Sequence, residues 1–343
     1  MIRRDENGIN IYHNKNNEEG YKRVLPGQFV IHLRSFQGGF AHSAIEGITS
    51  PAYTVFGFLE SEKHNSNYWK HVFNSKEFIR RLEIVTYGIR DGRSISYDEF
   101  LTMDFVYPTQ EEQSEISNYL ETLDHLITLH QRKYDKLVNV KKSMLEKMFP
   151  REGKNIPEIR FSGFTETWEQ RKLGNVCQIT MGQSPDGATY SDVPSDYILV
   201  QGNADLKNGW VCPRIWTTQK TKTAEAGDLI MSVRAPAGAI GKTNYNVVLG
   251  RGVAGIKGNE FIYQTLVKID EDDYWKKHAA GSTFESINSD VVLNAEIAVP
   301  QDIDEQEKLG AYFSYLDNLI TLHQREVEKL KNIKKSCLEK MFV

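Results

Sequence analysis

Arginine, glutamine, lysine and serine recur on glycine-punctuated stretches of this chain of 343 residues. They are Gln183 and Ser184 in MGQSPDG, Arg234 and Lys242 around APAGAIGKT, Arg251, and Ser282 and Thr283 in AAGSTFES. Nearer the start the same types stand at Arg34, Ser35, Gln37 and Arg93. Arg and Gln can form paired hydrogen bonds with guanine and adenine edges, and Lys and Ser suit phosphate oxygens. The chemistry offered is therefore recognition of nucleic acid. The competing reading is that these are ordinary polar surface loops.

Chemistry that makes or breaks bonds is not spelled out. The GKT at residues 241–243 has Pro236 where a phosphate-binding loop needs its first glycine. There is no H-E-x-x-H, no NPP[YF] and no GxGxxG after a strand. The acidic run Glu271, Asp272 and Asp273 suits the start of a helix, where negative charge complements the dipole. His130 and His323 fall on an apolar helix seam and read as packing residues. Cys177, Cys212 and Cys337 lie far apart with no CxxC pair, which suits a reducing compartment and makes neither a disulfide framework nor a zinc site. No catalytic residue and no metal ligand is assigned.

The elements that must position the loops follow from a duplication. Residues 123–149 read LDHLITLHQRKYDKLVNVKKSMLEKMF and residues 316–342 read LDNLITLHQREVEKLKNIKKSCLEKMF, identical at 20 of 27 positions. In the first copy Ile116, Leu120, Leu123, Ile127, His130, Tyr134 and Leu137 step by 4 and 3, and Leu309, Phe313, Leu316, Ile320, His323, Val327 and Leu330 repeat the steps. That spacing is a coiled-coil seam. The first helix should run over residues 110–149, a spacer roughly 60 Å long, and Pro150 stops it. The two copies should pack on each other, with Leu123, Ile127, Leu316 and Ile320 in the helix–helix interface.

The duplication reaches the flanking segments in divergent form. PGQFVIHLRSFQGG (26–39) aligns with AGDLIMSVRAPAGA (226–239), matching Gly27 to Gly227 and Arg34 to Arg234. SISYDEFLTMDFVYP (94–108) aligns with SINSDVVLNAEIAVP (286–300). The expected organisation is an α+β chain with an α/β domain at 1–109, a helix at 110–150, a second α/β domain at 151–300 and a second helix at 301–343. In the first domain, 24–34 and 48–58 read as strands and 67–85 as helix. The second domain leaves from the end of one helix and returns to the start of the other, so the helices should run antiparallel on a pseudo-twofold frame. The stretch from near Ile156 to near Val200 has no counterpart before residue 1, so the first domain is expected to be incomplete at its start.

A formal charge of −4 argues against a protein that coats nucleic acid by charge alone. The opening MIRRDENGINIYHNKNNEEG has no apolar core and does not read as a signal peptide. No apolar run is long enough for a membrane helix, so the chain is expected in the cytoplasm. Two domains on a twofold frame suit a target with two half-sites, and DNA offers these about one turn, or 34 Å, apart.

PEIRFSGFTETWEQRKLGNV (157–176), the helix repeats and VPQDIDEQEKLGAYFSYLDNLI (299–320) resemble the specificity subunit of type I restriction-modification systems. The resemblance covers essentially the whole chain. It implies two target recognition domains, a bipartite double-stranded DNA target, and modification (methyltransferase) subunits docked on the helices, with restriction subunits joining through them. It implies no cofactor in this subunit, the S-adenosylmethionine, ATP and magnesium belonging to the partners, and no catalysis by the subunit itself. It also marks the first recognition domain as truncated, since PEIRF…WEQRKLG occurs once. Two alternatives stay open: a two-domain protein-interaction scaffold, or a silent or recombining specificity copy without activity of its own.

Overall fold

The computed structural model describes residues 20–87, 94–151, 153–279 and 286–342. Helices span Gln110–Met148 and Ile303–Met341, as the seam predicts. By contacts the chain divides into two units, one of residues 1–131 with 325–343 and the other of 132–324. Each unit therefore owns half of each long helix. The boundary falls inside the helices rather than at their ends.

In the first unit the two helix halves run antiparallel. Lys334 reaches Asp124 at 2.5 Å, and Ile116 shares a core cluster with Phe342. The second unit repeats this with exchanged partners. There Lys141 reaches Asp317 at 2.6 Å, and Phe149 packs on Phe313 with ring centroids 5.8 Å apart. Asp124 and Asp317 are the same position of the repeat, as are Lys141 and Lys334. Lys141 and Lys334 continue the stepping four residues past Leu137 and Leu330, where a charge looks unfavourable in sequence, but each is answered by the aspartate of the opposing copy.

The first unit carries a three-stranded antiparallel sheet ordered Ala41–His42, Phe29–Ile31, Thr54–Phe56. The stretch expected as one strand at 24–34 is shorter and ends in a helical turn, Ser35–Gly38. The expected helix at 67–85 is two helices, Ser66–Val72 and Lys76–Leu82. Ser75 separates them: its side chain accepts from the Phe78 N–H and starts a new helix. The core is aromatic, with Phe29 on Phe73 at 5.0 Å and Phe40 on Phe100 at 4.9 Å, both edge to face. That geometry places positive ring edges on negative faces.

Two histidines of this unit are held neutral. Burial first, and then Lys70, lower His42 and His71 from 6.5 to about 4. Lys334 adds to the effect on His71, while Asp124 opposes it. The unfolded chain thus binds more protons than the folded one between these values, so stability is complete above about 6.5 and is lost as pH falls towards 4. Thermal melts followed by fluorescence of Trp69, the unit's buried tryptophan, should show the midpoint dropping over this window. The His71→Asn variant should show a shallower drop; an unchanged slope would count against the assignment.

The second unit is larger, and its two main sheets are accompanied by a strand pair, Glu169–Lys172 with Glu296–Val299. One is ordered Leu206–Lys207, Trp210–Val211, Ile240–Lys242, Leu229–Ser232, Val253–Lys257, Gln178–Met181. The other is ordered Tyr190–Ser191, Ile215–Thr217, Tyr197–Val200, Val247–Leu249, Thr223–Ala224. Alternation assigns each residue of the central strands to a face. Leu229, Met231 and Ile256 face the core that includes the Glu260–Glu271 helix, while Ile230 and Val253 meet Val200, Val247 and Leu249 of the other sheet. Burial on both faces explains why Leu229, Ile230 and Met231 stand as consecutive apolar residues rather than alternating with polar ones.

One joint fastens each domain to its long helix in the same way. Gln113, fully buried, donates to the carbonyls of Pro108 and Lys63 and accepts from the Asn65 N–H. Gln306, its repeat partner, donates to the Pro300 carbonyl and accepts from Asn259. Asn65 and Asn259 each cap the helix that follows them. A buried amide is stable only with its hydrogen bonds made, so this joint fixes how each domain meets its helix.

Candidate nucleic-acid interface

Three loops of the second unit meet at one end of its six-stranded sheet. Met181 pairs with Ala254 and Ser232 with Val253 in the antiparallel ladder. Residues following Met181, following Ser232 and preceding Val253 are thereby brought together. Backbone bonds lock them: Gln183 N–H to the Leu249 carbonyl at 2.9 Å, Val233 N–H to Gly252 at 2.9 Å, and Gly250 N–H to Val200 at 2.7 Å. Glycine is required where the loops touch. A Cβ on Gly182 would lie 2.0 Å from the Gly250 carbonyl oxygen, and one on Gly252 2.1 Å from that of Gln201.

On this rigid base the side chains of Gln183, Arg234 and Arg251 are exposed. Ser184 accepts from the Arg251 N–H at 3.0 Å and so sets the loop that presents Arg251. Arg234 follows Ser232, whose hydroxyl donates to the Arg234 carbonyl at 2.9 Å, and forms an antiparallel bridge with Ser286. The group offers guanidinium forks and an amide on pre-ordered backbone, which can bind base edges or phosphates with little loss of chain entropy.

Three further cations, Lys220, Lys222 and Arg214, flank the cluster without any motif to announce them. Thr221, between Lys220 and Lys222, donates to the Gln183 carbonyl at 2.7 Å. Arg214 lies beside the loop after Val200, where Asp205 accepts from its Nε and Nη2 and from the Gln201 N–H at 2.7 Å. These positions come from strands that pair non-locally, so linear spacing carries no trace of them.

Other expected contacts fall elsewhere. Lys242 pairs with Leu229, at the opposite end of the strand from Ser232. Its half-buried side chain pairs with Glu260 at 2.9 Å, and the ammonium lies over the rings of Trp210 and Tyr263. It is a structural cation, a correction to the surface role given it from sequence. Ser35 is likewise fully buried, with its hydroxyl accepting from the His32 N–H at 2.9 Å; it shapes the turn after Ile31 and has no free surface for a ligand. Arg34 and Gln37 beside it are exposed. Arg93, Ser282 and Thr283 lie outside the described residues.

The seam residues fall into separate units. Leu123 is buried and Ile127 half-buried in the first; Leu316 is buried in the main core of the second, with Ile320 half-buried. His130 and His323 are both half-buried. The acidic run is split: Glu271 ends one helix, and Asp273, at φ 59°, precedes the helix Tyr274–His278. The GKT segment is strand, not a phosphate loop. Burial pushes the Cys177 thiol up to about 11, the reverse of what a nucleophile needs. Among the described residues no group of His, Cys, Asp or Glu could hold a metal ion, and no helix is long and apolar enough to cross a membrane.

Residues 165–332, which contain this loop cluster, match the family model described as the type I restriction modification DNA specificity domain. Residues 165–332 are thus similar to the type I specificity domain, the family to which the PEIRF and WEQRKLG motifs also point. Two curated proteins of Methanocaldococcus jannaschii are similar. One is provisionally named the type I restriction enzyme MjaX specificity subunit, 28% identical over 71% of this chain and 60% of its own length. The other is the type I restriction enzyme MjaVIII specificity subunit, 23% identical over 67% of this chain and 59% of its own length. The chain therefore spans about 60% of the length of these relatives.

Solved structures show the same fold. The specificity (S) subunit of a type I system from M. genitalium matches with TM-score 0.66 at 13% identity, over 93% of this chain and 84% of that one. The HsdS subunit from Thermoanaerobacter tengcongensis matches with TM-score 0.51 at 23% identity, over 93% and 81%.

Proposed function

We propose that the chain is a DNA-recognition subunit of a type I restriction-modification system, and that its second unit reads one half of a bipartite double-stranded target. The observation that carries this is the loop cluster of Gln183, Ser184, Arg234 and Arg251, held at one sheet end within the matched specificity domain. Arg34 and Gln37 are proposed as the corresponding contacts of the first unit. The long helices are the docking surface for modification subunits, which supply S-adenosylmethionine chemistry, while ATP and magnesium belong to restriction subunits reached through them. The subunit itself performs no catalysis and works in the cytoplasm.

The test is binding selection on random duplex DNA by the chain with its modification subunits. Enrichment of two short sequences about one turn, or 34 Å, apart is expected. No enrichment would favour a protein-interaction scaffold, and methyl transfer by the chain alone would overturn the non-catalytic reading. Arg234→Ala should weaken binding by about 1–3 kcal/mol and relax the sequence at one position if its fork reads guanine. A uniform loss on all sequences would make it a phosphate contact. No loss would remove Arg234 from the interface.

A further inference from the structure

The strand Tyr197–Val200 ends where the loop cluster begins. Val200 pairs in parallel with Leu249, and its carbonyl accepts from the Gly250 N–H at 2.7 Å. Gln201 therefore stands beside Gly250, next to the loop that presents Arg251. The two glycines of that loop close in on its backbone. A Cβ on Gly250 would lie 3.1 Å from the Gln201 Cα, and Gly252 has no room for one against the Gln201 carbonyl oxygen.

Asp205, which is buried, completes the seat. One of its carboxylate oxygens accepts from the Gln201 N–H at 2.7 Å and the Gly202 N–H at 3.3 Å. The other accepts from Nε and Nη2 of Arg214 at 2.9 and 2.8 Å. That fork neutralises a carboxylate that would otherwise repel an anion at the cluster. The side-chain amide of Gln201 is treated differently. The residue is half-buried, yet its amide hydrogen-bonds to none of the described residues. The glutamines that hold this fold do the opposite: Gln113 and Gln306 commit their amides to neighbours. At Gln201 the backbone is pinned and the amide is left over, with its donors and acceptor on a seat that loses little entropy when a ligand binds.

We infer that Gln201 reads an adenine in the half-site of the second unit, with Asp205 as the positioning residue that seats it. Adenine presents N6 as a donor and N7 as an acceptor side by side in the major groove, and a glutamine amide meets both at once. Arg214 keeps Nη1 outside its fork with Asp205, so its charge is available to a phosphate beside that base. The inference rests on the DNA-recognition reading and goes beyond it by naming a base and the residue that selects it.

Binding selection on random duplex DNA, by the chain with its modification subunits, provides the test. In Gln201→Ala the preference for adenine at one position should fall about tenfold, while the other positions keep theirs. The lost amide bonds nothing in the fold, so the circular dichroism spectrum and the melting temperature should not change. Asp205→Asn keeps the side-chain shape but loses the charge that holds Arg214, and should blur the same position. The double variant should be no worse there than Gln201→Ala alone, because the seat acts only through the glutamine. Unchanged preference at every position in Gln201→Ala overturns the inference, while enrichment by the wild-type chain still upholds DNA recognition. A uniform loss on all sequences overturns it as well, since Gln201 is then a backbone contact, and so does a lost preference for a base other than adenine. Asp205→Asn that blurs every position equally, or none, overturns the positioning role. A wild-type chain that enriches no sequence overturns both readings.

Discussion

Glu305→Ala should destabilise the second unit by about 3–5 kcal/mol, the cost of stranding a buried charge whose partner is removed. Arg160 holds both carboxylate oxygens at hydrogen-bond distance, with Glu305 fully buried and Arg160 mostly so. The pairing raises the Arg160 guanidinium above its ordinary value, first through the hydrogen bond to Glu305, so the arginine cannot escape by losing its proton. Replacing both residues by apolar side chains of similar size, Arg160→Met with Glu305→Leu, should recover most of the loss, because no charge is then stranded. Urea unfolding followed by tryptophan fluorescence reads the effect, since Trp168 sits a few residues along the same segment. A loss below about 1 kcal/mol for the single variant would mean that the pair behaves like an exposed salt bridge. The same experiment separates adhesion of the 157–172 segment from the integrity of the sheets, because the fork ties the segment to the helix alone.

The long helices were legible because a 4–3 spacing survives any tertiary context, and their ends at Met148 and Met341 agree with it. What packs on them was legible only in part. Nothing in the linear pattern says that Lys141 and Lys334, which interrupt the seam, are answered by Asp317 and Asp124. That depends on the antiparallel register, which brings together positions far apart in the chain. The loop cluster shows the same division. Gly182, Gly250 and Gly252 advertise a close approach, but the ladder that brings them together is built from three distant segments. Lys242 shows the opposite failure. Its place on a glycine-punctuated stretch suggested an exposed cation, while the strand register turns it inward onto Glu260. Ser35 was misplaced for a related reason: alignment to the second half puts it on a surface loop, but its own half closes into a helical turn that buries the hydroxyl. Arg34 and Arg234 therefore share a place in the repeat without sharing a local backbone.

Leu316→Asp should be as damaging as the loss of Glu305, by a different route. Leu316 is 6% exposed and belongs to the main core of the second unit with Phe313, Phe149 and Phe261. An aspartate there meets apolar rings and stands next to Asp317, whose carboxylate is already committed to Lys141 and to the Gln264 amide at 2.8 Å. A carboxylate with no free cation to pair with must either stay charged in an apolar site or take up a proton, and both cost free energy. The expected loss is on the order of 4 kcal/mol, in the range reserved for unpaired buried charge. Leu322→Asp supplies the control on the same helix, since Leu322 is 51% exposed and its replacement should stay within about 0.5 kcal/mol. Because Gln264 and Lys141 bridge the domain helix and both long helices through Asp317, the Leu316 variant should also loosen amide protection along the Glu260–Glu271 helix. Hydrogen exchange on the two variants decides the matter. Equal protection in Leu316→Asp and Leu322→Asp would show that the seam contributes no more to this unit than its exposed face does.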